Sequence, residues 1–100
     1  KVMYGIFRSD SGFCTTGVGA KNNNCGNITV GSGEHGDQDV KWTVSKLDGR
    51  RKYESVKDGV YDNVALFAQL YEGKGWKNLK RWAGGSEGWL KNVKSIYYNQ

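Results

Sequence analysis

The sequence predicts one small α+β domain, mainly helical, and three observations carry that expectation. One hundred residues are enough for a single modest core and too few for two. Apolar residues recur at helical spacing near the start of the chain and again from residue 56 to residue 97. Strand-like alternation is confined to a short stretch around Val40 to Tyr53, with the turn pair Asp48-Gly49 inside it. With 37% hydrophobic and 13% aromatic residues, including four Trp and six Tyr, the composition is that of a packed chain rather than a disordered one.

Taken in order, Val2, Met3, Ile6 and Phe7 predict a helix over residues 1–10 that ends at Asp10, with Gly12 as its stop. Gly5 weakens that helix. From residue 11 to about 38, Gly, Asn, Ser and Thr dominate and no helical period survives, which reads as loop with a short strand at Asn27 to Val30. Val40, Trp42 and Val44 alternate with Lys41 and Thr43, and Arg51 to Tyr53 follows the turn, giving a β-hairpin. The clearest helix begins after Ser55. Asp58, three residues on, makes a capping-box pattern, Gly73 is the stop, and Val56, Val60, Val64, Phe67, Ala68 and Tyr71 form the expected inward face. Trp76, Leu79, Trp82 and Ala83 suit a short helix ended by Gly84-Gly85. Ser86 caps a last one in which Trp89, Leu90, Val93, Ile96 and Tyr97 face inward.

Charge and cysteine usage narrow the function classes. Fifteen Lys and Arg against ten Asp and Glu give a net charge of +5, with the excess between Lys46 and Lys57 and between Lys74 and Lys94, so an anionic partner is favoured. The basic residues do not follow a nucleic-acid-binding pattern, and no nucleic-acid partner is expected. No apolar run approaches the ~18 residues that span a bilayer, so stable membrane insertion is not expected either. The chain opens Lys1-Val2-Met3 without a signal-peptide pattern, which is the expectation for an export signal already removed or for the C-terminal portion of a longer chain. Cys14 and Cys25 lie eleven residues apart. A bridge between them closes a short loop, contributes about 2–3 kcal/mol and implies an oxidising compartment. Two Cys and the lone His35 fall one ligand short of a closed zinc site, so neither a metal nor another cofactor is expected.

Asp10-Ser11-Gly12-Phe13, followed by Asn22-Asn23-Asn24-Cys25-Gly26-Asn27-Ile28, resembles lysozyme-like peptidoglycan-cleaving enzymes of the glucosaminidase and lytic transglycosylase type. Tyr53-Glu54-Ser55, Gly59-Val60-Tyr61, Lys80-Arg81-Trp82-Ala83 and Ser86-Glu87 resemble the C-terminal part of phage-associated members, in the same order. The resemblance implies a helical lobe beside a small β-hairpin lobe with a cleft between them, all within residues 1–100. It implies cleavage of the β-1,4 link between N-acetylmuramic acid and N-acetylglucosamine, with peptidoglycan glycan strands as the partner of a monomer. A secreted, periplasmic or virion-associated location follows.

Carried over residue by residue, the general acid falls on Asp10 and the sugar-holding run on Asn23, Asn24, Gly26, Asn27 and Ile28. Tyr71 and Trp82 are the aromatic candidates for stacking on a sugar. Physical chemistry agrees: a carboxyl at the negative end of a helix and against Phe7 and Phe13 has its pKa raised, as an acid working near neutrality requires. Asp10 departs from the family, which carries Glu there. One methylene withdraws the carboxyl by about 1 Å, and a displacement of that size costs on the order of 100-fold in rate. A hydrolase needs a second carboxylate at ~5–9.5 Å, whereas a transglycosylase manages with one acid because the sugar's own hydroxyl attacks. Glu34 is the first choice among Glu34, Asp37, Asp39 and Glu54. Plainer roles remain open at each position: Asp10 as an ordinary turn residue, the Asn run as a left-handed turn, His35 as an exposed loop residue. So do two other functions, a wall-binding module without turnover and a basic membrane-active toxin whose helices at 74–97 lie on anionic lipid.

Overall fold

The computed structural model describes residues 2–32 and 40–99. Helix α1 (Val2–Ser11) is followed by α2 (Gly17–Lys21) and a 3-10 turn at Val30–Ser32, then by strands β1 (Trp42–Val44) and β2 (Arg51–Tyr53). Helices α3 (Val56–Leu70), α4 (Gly75–Leu79), a 3-10 turn at Lys80–Ala83 and α5 (Glu87–Tyr98) complete the chain. The mainly helical α+β architecture predicted from sequence is therefore observed, with a two-stranded antiparallel sheet pairing Trp42 with Tyr53 and Val44 with Arg51.

Local signals explain most boundaries. Ser55 Oγ accepts from the Asp58 amide and Ser86 Oγ from the Trp89 amide, both at 3.1 Å, satisfying amides at the starts of α3 and α5 that have no helical partner. Gly84 and Gly85 both adopt positive φ after the 3-10 turn, a conformation costly for residues with a Cβ. Helix α5 lies antiparallel along α1: Trp89 meets Asp10, Asn92 meets Ser9, and Val93 meets Gly5. A Cβ at Gly5 would come within 3.1 Å of the Val93 side chain and carbonyl oxygen, so this glycine lets the two backbones approach at some cost in helix propensity.

Two buried clusters form the core. Ile6, Leu79, Leu90 and Val93 make one, with Phe7, Phe67, Trp76 and Trp89 packed against it. Ile28, Tyr53 and Leu66 make the other, with Val40 and Trp42. Tyr71 and Trp82 touch both clusters, their rings 5.5 Å apart, and weld the two together.

Three expectations are corrected. Residues 27–30 do not form a strand; the backbone turns left-handed at Asn27 and enters the 3-10 turn at Val30. The glycine-rich stretch contains α2, held by packing rather than periodicity, since a Cβ at Gly19 would lie 3.0–3.1 Å from Ser11 Cβ, the Asn24 carbonyl and Asn27 Oδ1. The buried residues of α3 are Gly59, Asp62, Asn63 and Leu66; of the expected apolar face, Phe67 and Tyr71 pack against the core, whereas Val56 and Val64 stand exposed. The partners of this buried face are the Asn-rich loop and the hairpin, whose backbones and charges demand polar side chains.

Candidate functional site

Asp10 lies in the last turn of α1, where four segments of the chain converge. From α5, Trp89 Nε1 donates to Asp10 Oδ1 at 2.6 Å. From the loop, Asn27 Nδ2 donates to the Asp10 backbone carbonyl at 3.3 Å. From the hairpin, the positive charge of Arg50 acts on the carboxylate. Burial nevertheless dominates: the carboxyl of Asp10 is pushed up from its ordinary 3.8 to about 6, the Trp89 bond and Arg50 only partly restraining the rise. A carboxyl with that pKa holds its proton for part of the population near neutrality and can both give and take one.

The turn behind Asp10 is rigidly built. Cys14 and Cys25 form the disulfide expected from their spacing, with Cα atoms 4.9 Å apart. Ser11 is buried beneath it; its hydroxyl donates to the Cys25 carbonyl at 2.8 Å and accepts from the Cys14 amide at 2.9 Å. Phe13 and Cys14 both take left-handed φ, 59° and 64°, a strained choice for non-glycine residues that the bridge and Ser11 hold in place.

The asparagine run has mostly inward employment. Asn24 is fully buried, donates from Nδ2 to the carbonyls of Ile28 and Arg51 at 3.0 Å each, and accepts on Oδ1 from the Ile28 amide and from Asn63 Nδ2. No polar atom of Asn24 is left for a sugar. Ile28 is buried as well, and Gly26 serves packing: a Cβ there would sit 2.4 Å from Asn63 Oδ1 and 2.9 Å from the Trp82 ring. Asn23, half-buried with φ 53°, donates to the Tyr53 carbonyl at 2.9 Å. The neighbouring Asn22 is buried between Asp48 and Ser45. Asn27 is different, because its Oδ1 is buried without a partner among the described residues, right behind Asp10.

Of the residues nominated from sequence, then, Asp10 and Asn27 come together, while Asn24, Gly26 and Ile28 sit inside the scaffold. Tyr71 and Trp82 are half-buried at the junction of the two clusters, and Trp82 Nε1 donates to the Gly26 carbonyl at 2.8 Å. Glu34, with Asp37, Asp39 and His35, lies outside the described residues. Glu54 lines a separate depression on the hairpin with Lys41, Trp42 and Lys52.

Sequence reasoning missed Trp89 as the hydrogen-bond partner of Asp10 and Arg50, ion-paired to Asp48, as a positive charge acting on it. Trp89 fits the helical core period, and only its place three residues after the Ser86 cap, at the turn that abuts the end of α1, marks it as special. The network that carries the hairpin was missed too: Asp62 accepts from Arg51 Nη1 at 3.0 Å and from the Tyr53 hydroxyl, and Arg51 stacks on Trp42. Burial and the carboxylate beside it push the Tyr53 hydroxyl pKa far up, which keeps it a proton donor to Asp62.

Among the described residues no group of three His, Cys, Asp or Glu side chains is placed to hold a metal, and no helix is long and apolar enough to cross a membrane. Comparison with protein-family models, characterised proteins and solved structures finds no match.

Proposed function

We propose that this chain cleaves the β-1,4 link between N-acetylmuramic acid and N-acetylglucosamine in peptidoglycan by general acid catalysis, as a lytic transglycosylase or a muramidase. The observation that carries the reading is the Asp10 carboxyl: half-buried at a helix end, oriented by Trp89, with its pKa pushed up to about 6. Protonated Asp10 gives its proton to the glycosidic oxygen as the bond to C1 breaks. In the transglycosylase route the resulting carboxylate then takes a proton from the sugar's own hydroxyl as that oxygen closes on C1, so one carboxyl completes the cycle. Water in place of that hydroxyl gives the hydrolytic product and calls for a second carboxylate, with Glu34 as its nominee.

The net charge of +5 suits an anionic wall, and the disulfide suits an oxidising location, secreted, periplasmic or virion-associated. A second reading, a wall-binding module without turnover, is favoured by the short reach of Asp10 and by its hydrogen bond to Trp89, which ties up one carboxylate oxygen.

Mass spectrometry of soluble products after incubation with purified peptidoglycan at pH 5 and pH 7 separates these readings. Anhydromuropeptides that disappear with Asp10→Asn support the transglycosylase, and reducing-end products the muramidase. Peptidoglycan pull-down with no product from the native chain, and product only from Asp10→Glu, supports the binding module and overturns catalysis.

A further inference from the structure

One turn beyond Trp89, the outer edge of the α1–α5 seam carries a second feature. Arg8, Ser9, Asn92, Ser95, Ile96 and Asn99 line an open depression of about 370 Å³. The antiparallel packing that brings Trp89 to Asp10 also brings Asn92 to Ser9, whose hydroxyl accepts from Asn92 Nδ2 at 2.7 Å. Asn99 Nδ2 donates to the Ser95 carbonyl at 2.6 Å. Each amide is thus steadied by one bond and keeps an N–H and its carbonyl oxygen for another partner. Arg8 forms no ion pair among the described residues, so its guanidinium is an uncompensated fork of donors at the edge of this polar wall.

We propose that this depression binds a carboxylate-bearing saccharide, with Arg8 pairing to the carboxylate and Asn92, Ser95 and Asn99 hydrogen-bonding to ring hydroxyl and acetamido groups. The planar guanidinium matches a carboxylate in two parallel bonds. Amides and hydroxyls that both donate and accept match sugar substituents, and Ile96 offers the apolar contact that a pyranose face needs. Four uncharged polar side chains to one cation favour a monoanionic, hydroxyl-rich ligand over a phosphate dianion. The proposal rests on the peptidoglycan reading, in which the acidic sugar is N-acetylmuramic acid, and it adds a recognition site beside Asp10 that reads the lactyl carboxylate.

The test is an NMR titration of the 100-residue chain that follows the side-chain signals of Arg8, Asn92 and Asn99. The probes are N-acetylmuramic acid, N-acetylglucosamine and inorganic phosphate. N-acetylmuramic acid is expected to shift all three signals and to bind about 3- to 10-fold more tightly than N-acetylglucosamine, which lacks the carboxylate. Arg8→Gln is expected to erase that difference with the backbone spectrum otherwise retained, and Asp10→Asn to leave it intact. Equal binding of the two sugars, phosphate matching N-acetylmuramic acid at the same signals, or no shift at millimolar sugar each overturns the proposal. If Asp10→Asn and native chain bind alike while neither releases muropeptides, catalysis falls and this binding site stands.

Discussion

Around Ile6, Leu79, Leu90 and Val93 the protein excludes water with hydrocarbon, whereas around Asn24, Arg51, Asp62 and Asn63 buried amides and charges share the interior with Ile28, Tyr53 and Leu66. The first region joins helices whose backbones satisfy themselves, so any side chain of suitable volume serves. The second joins a loop and a short hairpin to α3, and their backbone groups need partners: Asn24 alone bonds the carbonyls of Ile28 and Arg51 and the amide of Ile28. A loop and a short hairpin are held to the fold by directional bonds, and each member of such a network is harder to replace than a core aliphatic.

The largest effect expected from this contrast is at Asp62. Asp62→Ala takes the carboxylate away from a guanidinium that is 1% exposed and from a buried tyrosine hydroxyl, and should lower stability by about 3–5 kcal/mol in urea unfolding. Leu79→Ala, in the hydrocarbon half, should cost about 2–4 kcal/mol through a cavity that its aromatic neighbours partly refill. A smaller loss at Asp62 than at Leu79 breaks the comparison. Next in size is the disulfide. Cys14→Ser with Cys25→Ser should lower stability by about 2–3 kcal/mol, read as a drop in Tm that reductant reproduces in the native chain and leaves absent in the variant.

The same contrast explains what could be read from the sequence. Caps, the hairpin and the order of the helices are local, written within a few residues of where they act, as in Ser55 with Asp58 and Ser86 with Trp89. The polar core is not. Asn24 finds Arg51 and Asn63 across 27 and 39 residues, and no periodicity signals such a meeting. For the same reason the valine stripe of α3 misled: apolar spacing names the face toward hydrocarbon, but this helix turns Asp62 and Asn63 inward because a loop, not another helix, is its partner. Asp10 could be singled out because a short run of residues carries the resemblance. Its environment could not, since Trp89 joins Asp10 across 79 residues.

Asp10 gives the smallest effect in stability and the most specific one. Its folded-state pKa, about 6, lies above the ordinary value of 3.8, so the folded chain binds the proton more tightly than the unfolded one. The associated stabilisation is fully present below about pH 4 and is lost as pH rises to about 6. After allowance for partial exposure it amounts to about 1–2 kcal/mol. Asp10→Asn keeps an oxygen for Trp89 and carries no charge to bury. It should remove the pH 4–6 slope from urea unfolding and leave the chain more stable than the native one at pH 7, while abolishing any peptidoglycan cleavage. Trp89→Phe acts in the opposite sense: without the indole donor the carboxylate loses a stabilising bond, the pKa climbs further, and the slope extends to higher pH. A variant at Asp10 that lost stability at pH 7 would mean that the carboxylate holds the turn together. A gain means that the fold bears the cost of burying a carboxylate at the end of α1.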